Sequence, residues 1–106
     1  MIRNHITLIG NIGKNTQITN FENGKKIARF NLAINKQTRT QTGSVKSEVE
    51  WHNIFAWGNM AHFIEEYAEK GKRVAVHGKL VNRNYLDKNG TKKQITEIEL
   101  KNIIGL

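Results

Sequence analysis

The chain has no cysteine and no proline, and Asp87 is its only aspartate. Without cysteine, neither disulfides nor thiolate metal sites are available. No apolar run approaches the roughly 18 residues of a membrane span, and the N-terminus lacks the apolar stretch of a signal peptide. A soluble, cytoplasmic chain with no membrane partner is therefore expected. Acids are also scarce: 9 against 17 Lys and Arg, for a formal charge of +8 and a pI near 10.0. Such a surface attracts polyanions, of which nucleic acid is the commonest in a cytoplasm. Catalysis finds little support. No Ser lies in a nucleophile-elbow context. His5, His52, His62 and His77 show no metal-ligand spacing, and no HExxH occurs. The expectation is no enzyme, no metal and no cofactor, with each histidine a surface or interface residue. At 106 residues one domain, 1–106, is expected, large enough to fold without staples.

What is present centres on Val49–Gly58, which holds both tryptophans. As a strand it places Val49, Trp51, Asn53, Phe55 and Trp57 on one face and His52, Ile54 and Ala56 on the other. The second set is short and mainly apolar, as a core-facing set should be. The first carries large rings beside an amide. It is either buried as well, or it is an exposed platform on which bases stack.

Around this stretch the period-two pattern recurs. Arg3–Gly10 reads as a first strand ending in Gly10-Asn11-Ile12-Gly13, a glycine-rich loop without the spacing of a phosphate-binding loop. Gln17–Phe21 is a short extended segment, and Glu22-Asn23-Gly24 a turn. Lys25–Lys36 is a long strand with Ala28, Phe30, Leu32 and Ile34 inward, and Lys26, Asn31 and Asn35 toward solvent. Residues 36–48, polar and basic with Lys36, Arg39 and Lys46, read as a mobile hairpin loop. Met60, Phe63, Ile64, Tyr67 and Ala68 then form one apolar helical stripe, with Asn59 as N-cap, Gly71 as C-cap glycine and the aromatic residues in the core. Arg73–Leu86 returns to period two, with Val74, Val76 and Leu80 on one side and Lys79, Val81, Arg83 and Tyr85 on the other. Asp87–Gly90 is a hairpin turn, and Gln94–Ile104 is a last strand through Ile98 and Leu100. Glu97 and Glu99 share a face, read as a solvated ladder of charges and not as a catalytic pair. Three strands, one helix and two strands is the order of the five-stranded Greek-key OB barrel, an all-β fold with its helix between strands 3 and 4.

The rings at Trp51, Trp57, Tyr85 and Phe55 are interleaved with Lys79, Arg83, Lys88 and the basic segment after Lys36. Rings stack with bases while cations follow phosphates, the combination of sequence-tolerant single-strand binders. Tyr85, beside Arg83 and next to a hairpin turn, is poorly placed for a core ring. Fold order, charge and rings together select the platform reading over the core reading.

Several short motifs occur in order along nearly the whole chain: Leu8-Ile9-Gly10-Asn11-Ile12-Gly13, Asn23-Gly24, Phe30-Asn31-Leu32-Ala33, Glu50-Trp51-His52, Trp57-Gly58, Glu66-Tyr67, Lys70-Gly71, Gly78-Lys79-Leu80 and Thr96-Glu97. In this set and spacing the sequence resembles the bacterial single-stranded DNA-binding protein family. The resemblance implies an OB fold that binds single-stranded DNA without sequence preference in replication, recombination and repair. It also implies a homo-oligomer, with a tetramer favoured and a dimer the alternative. Trp51, Trp57 and Tyr85 match stacking positions; Lys70 and Arg83 match basic positions near phosphates; His52 matches a position linked to subunit assembly. No ring stands near Thr38 or Arg39, where the family often has one, and Asn53 and Asn59 replace residues that are basic in many members. Both departures predict weaker binding or a shorter site. Members usually continue into a flexible linker and an acidic tip that recruits repair and replication proteins. The sequence ends at Gly105-Leu106 without such a tip, as a naturally tail-less member or a truncated core would, and tail-dependent partners are not expected of the residues given. A nucleoid-associated location follows from the resemblance. Two other functions compete: a primosome-type OB-fold assembly factor acting mainly through protein contacts, and RNA binding by the same platform.

Overall fold

A computed structural model describes residues 3–106. The strands are β1 (Ile6–Ile12), β2 (Gln17–Asn20), β3 (Lys26–Arg39), β4 (Val45–Trp57), β5 (Arg73–Leu86) and β6 (Lys92–Gly105), with one helix, α1 (Asn59–Tyr67), between β4 and β5. Antiparallel pairing runs β1–β3, β3–β4, β5–β6 and β1–β5, and a short parallel pairing of Ile54–Phe55 with Ile98–Glu99 joins β4 to β6. These pairings close a ring of β1, β3, β4, β6 and β5, the five-stranded OB barrel expected from the sequence. β2 is an additional short strand against β3. Counting it moves the helix from between strands 3 and 4 to between β4 and β5.

The inward positions follow the period-two pattern. Ala28, Phe30 and Leu32 of β3 face Ile54 and Ala56 of β4, with Val74 and Val76 of β5 and Ile98 and Leu100 of β6 completing the core. The helix closes one end with Ala61 and Ile64, both fully buried.

Several local expectations are corrected. β1 starts at Ile6 and runs through the glycine-punctuated stretch to Ile12. Residues 36–48 do form a hairpin, but most of it is paired strand, from Lys36↔Glu48 to Arg39↔Val45, with only residues 40–44 turning. Both faces of this arm are exposed, so no apolar alternation marked it as strand. Lys26 is buried, because Glu65 lies 2.5 Å and His62 Nδ1 3.3 Å from its Nζ. A buried ammonium is tolerable only when paired in this way. The helix N-cap is Gly58 at φ 63, not Asn59, and the helix ends in extended Ala68, with Gly71 in the following turn. Phe63 is exposed on the helix flank, stacked on the half-buried Tyr67 at 5.0 Å. Leu80 is also exposed: β1 ends opposite Gly78, so Leu80 lies beyond the barrel rim. There the Asn4 amide takes the place of a strand, accepting from the Leu80 N–H at 2.8 Å and donating to its carbonyl at 2.9 Å.

The close approach of β5 to β6 depends on Gly78. A register shift falls between His77 and Gly78, and a Cβ at Gly78 would stand 2.0 Å from the Glu99 carbonyl oxygen. Gly78→Ala is expected to destabilise the chain by about 3 kcal/mol, since the obstruction is backbone and cannot rotate away. Urea unfolding checks this; an unchanged midpoint would mean that the bulge tolerates a side chain.

Candidate nucleic-acid interface

Strand register assembles the site. Odd-numbered residues of β3 and β4 share the outer face, through the pairs Ala33↔Trp51, Asn31↔Asn53, Arg29↔Phe55 and Ile27↔Trp57. The face continues over Glu97 and Glu99 of β6, reached through Phe55↔Glu99, to Lys79, Val81, Arg83 and Tyr85 of β5. Of the expected residues, Trp51, Phe55 and Trp57 of β4, Arg39 of β3 and Lys79, Arg83 and Tyr85 of β5 therefore share one surface.

Trp51, Trp57 and Tyr85 are exposed at 59%, 45% and 45%. That much accessible ring on one surface is costly to leave in water without a ligand, because it is large and apolar. Trp51 leans on the backbone near Gly13: a Cβ there would lie 2.9 Å from the indole Cζ3. Phe55 does not join the exposed rings. It is buried, and the Arg29 guanidinium lies 5.6 Å from its ring centroid. β6 flanks it there through the parallel pair Phe55↔Glu99. In its place the structure supplies Phe21, which the sequence marked only as the end of an extended segment. Phe21 is 45% exposed and stacks on Trp57 at 6.0 Å with an interplanar angle of 29°.

The cations divide into groups. Arg39 shares the ring face on the β3–β4 arm, whereas Lys36, at even parity, points to the other side. Lys88 is at the tip of the β5–β6 arm, in a turn where the Asp87 carboxylate accepts from the Asn89 and Thr91 N–H groups at 2.9 Å each. Lys70 is in the turn after the helix, tied to β1 by Gly71 N–H donating to Ile12 O at 2.7 Å. These four make no ion pair with any described residue. Lys79 and Arg83 are committed within the protein: Lys79 Nζ lies 3.6 Å from Glu99, and Arg83 Nε 3.0 Å from Glu97. Glu97 also binds Arg29, which sequence reading did not single out. It is buried, contrary to the expected solvated ladder, because two guanidinium groups replace its water. Cross-strand register placing Arg29 opposite Phe55 was the available signal for Arg29; nothing local marked Glu97.

His52 is half-buried opposite Leu32, away from the ring face. Among the described residues no cluster of three or more His, Cys, Asp or Glu is arranged to hold a metal. Among them, too, no helix is long and apolar enough to cross a membrane.

The model of the Single-strand binding protein family matches residues 3–105. The chain belongs to this family. It is 34% identical over 96 residues to Single-stranded DNA-binding protein 1 of Chlorobaculum tepidum, covering 90% of this chain and 59% of that protein. It is 33% identical over 102 residues to the Single-stranded DNA-binding protein of Bacteroides thetaiotaomicron, covering 94% and 63%. The chain thus spans about three-fifths of the length of these curated relatives. Among solved structures, a Plasmodium falciparum SSB in complex with ssDNA superposes with a TM-score of 0.88 at 38% identity, over 100% of this chain and 97% of the other. A deletion mutant of the Thermus aquaticus single-stranded DNA binding protein superposes with 0.82 at 25% identity, over 98% and 50%. Family membership accounts for the order of strands, the helix and the barrel closure together.

Proposed function

We propose that this protein binds and protects single-stranded DNA without sequence preference, in replication, recombination and repair. The observation that carries this reading is the single outer face of β3, β4, β6 and β5, which holds three exposed rings together with basic side chains. Trp51, Trp57 and Tyr85 stack with bases, Phe21 extends the Trp57 end, and Arg39, Lys70, Lys88 and Arg83 follow the phosphates. Stacking needs only the π-face of a base and so is indifferent to its identity. Phe55 serves this face from beneath, as the ring under Arg29; Lys36 and Lys79 contribute to the field more than to direct contacts. A primosome-type assembly factor would not require exposed rings on the same face as the cations. The protein is read as a binder, not an enzyme, acting in the cytoplasm on the nucleoid, with the whole chain 1–106 as the binding domain.

The functional unit is read as a homo-oligomer, a tetramer in preference to a dimer. A second surface supports this: Ile9↔Ala75↔Ile104 forms a row across β1, β5 and β6, with Ile9 and Ile104 exposed at 50% and 57%. That row is apolar and on an outer face, as a self-association surface should be. His52, away from this row, is assigned to a second contact between subunits. Light scattering on the purified protein tests the assembly; a monomer at micromolar concentration would remove it.

Fluorescence anisotropy of a labelled dT oligonucleotide at several salt concentrations tests the binding. The log–log slope is expected to be about −2 to −4, for roughly three to six phosphates neutralised at about −0.7 each. Duplex DNA should compete poorly. A flat salt response, or equal binding to duplex, would contradict the reading.

A further inference from the structure

Glu97 is the one acid buried among the described residues, and it lies in the middle of a face built from cations and rings. Its side chain is 5% exposed, while those of Arg29 and Arg83 are 37% and 50% exposed. Each guanidinium therefore has one side on the carboxylate and another toward solvent. The solvent side opens into a polar cavity of about 350 Å³, lined by Arg29, Arg83 and the amides of Asn15, Gln17, Asn31 and Asn53. An arriving phosphate meets two guanidinium groups here, but also the negative charge they already share.

We propose that Glu97 is an internal competitor for DNA phosphate: it holds Arg29 and Arg83 in ion pairs that a backbone phosphate must share or displace, and so sets an upper limit on affinity. This inference rests on the single-strand-binding reading and concerns the strength of that same site. The reason is electrostatic. Two guanidinium groups against one carboxylate present a net charge of about +1 to the cavity, where two free groups would present about +2. The carboxylate also repels a phosphate held within a few ångströms, in surroundings that screen less than water. An interface of this kind binds while remaining easy to displace. Glutamine at position 97 removes the charge and keeps the shape, and its amide oxygen still accepts from one guanidinium.

The test compares wild type with Glu97→Gln by anisotropy of a labelled dT oligonucleotide over a range of salt. The variant is expected to bind roughly tenfold tighter at low salt, the scale of one additional charge-assisted hydrogen bond to phosphate. Its log–log slope should be more negative by about 0.7 for each guanidinium released to a phosphate. Arg83→Gln should make the slope less negative in both backgrounds, by the full 0.7 or so in Glu97→Gln and by clearly less in wild type, where Arg83 is shared with Glu97. Weaker or unchanged binding by Glu97→Gln at every salt would overturn the proposal, and weaker binding would make Glu97 a positioning residue for the two arginines. Circular dichroism establishes that the variants are folded. If Glu97→Gln unfolds, Glu97→Asp decides: its retracted carboxylate should give a smaller tightening, and a loss of affinity would again overturn the claim. Failure of wild type itself to bind the oligonucleotide would instead reject the single-strand-binding reading.

Discussion

Trp51→Ala is expected to weaken binding of single-stranded DNA by about 1–3 kcal/mol, roughly 5- to 150-fold, while leaving the fold intact. The ring is 59% exposed, so its removal opens no cavity in the core. Its packing against the backbone near Gly13 fixes its direction and contributes little burial. Anisotropy titration gives the affinity, and thermal unfolding should move by no more than a few degrees. A large loss of stability with unchanged affinity would place the ring in the core and remove it from the interface.

Phe30→Ala is expected to do the opposite. Phe30 sits on the adjacent strand β3, opposite Ile54, and is 2% exposed. Truncating it removes a buried ring at the centre of the barrel and leaves a cavity, at a cost of about 3–5 kcal/mol. That is a large part of the roughly 5–15 kcal/mol that holds a typical domain together. Urea unfolding should show the loss, and the fraction still folded should bind DNA as wild type does. An unchanged midpoint would mean that the core repacks around the gap. The two aromatic residues are on neighbouring strands of one barrel, and only the face of the sheet separates their roles.

That face was legible in the sequence where one side of a strand is apolar. Ala28, Phe30 and Leu32 alternate with Arg29 and Asn31, and Ile54 and Ala56 alternate with Asn53 and Trp57, so period two sorts core from surface. The pattern failed in three physical situations. On the arm beyond Asn35, both faces meet water, and a paired strand reads as a polar loop. At Lys26 and Glu97, burial depends on partners distant in sequence, Glu65 and Arg29 with Arg83, which no local pattern reveals. At Leu80 the strand outruns its neighbour, so an inward position loses the wall that would bury it. Within the site, Trp51, Trp57 and Tyr85 are where alternation put them. Phe55 shares their parity but is buried, with the Arg29 guanidinium over its ring. Phe21 was missed because its place beside Trp57 is created by the turn between β2 and β3, where Phe21 N–H donates to Lys25 O at 2.8 Å.

The central claim is that bases stack on this face, and both tryptophans lie there, so intrinsic tryptophan fluorescence during titration with poly-dT tests it most directly. The account predicts strong quenching by the single strand at low salt, weaker at moderate salt, and little response to duplex DNA. Binding detected by anisotropy with unchanged tryptophan emission would contradict it, leaving a basic surface without stacking.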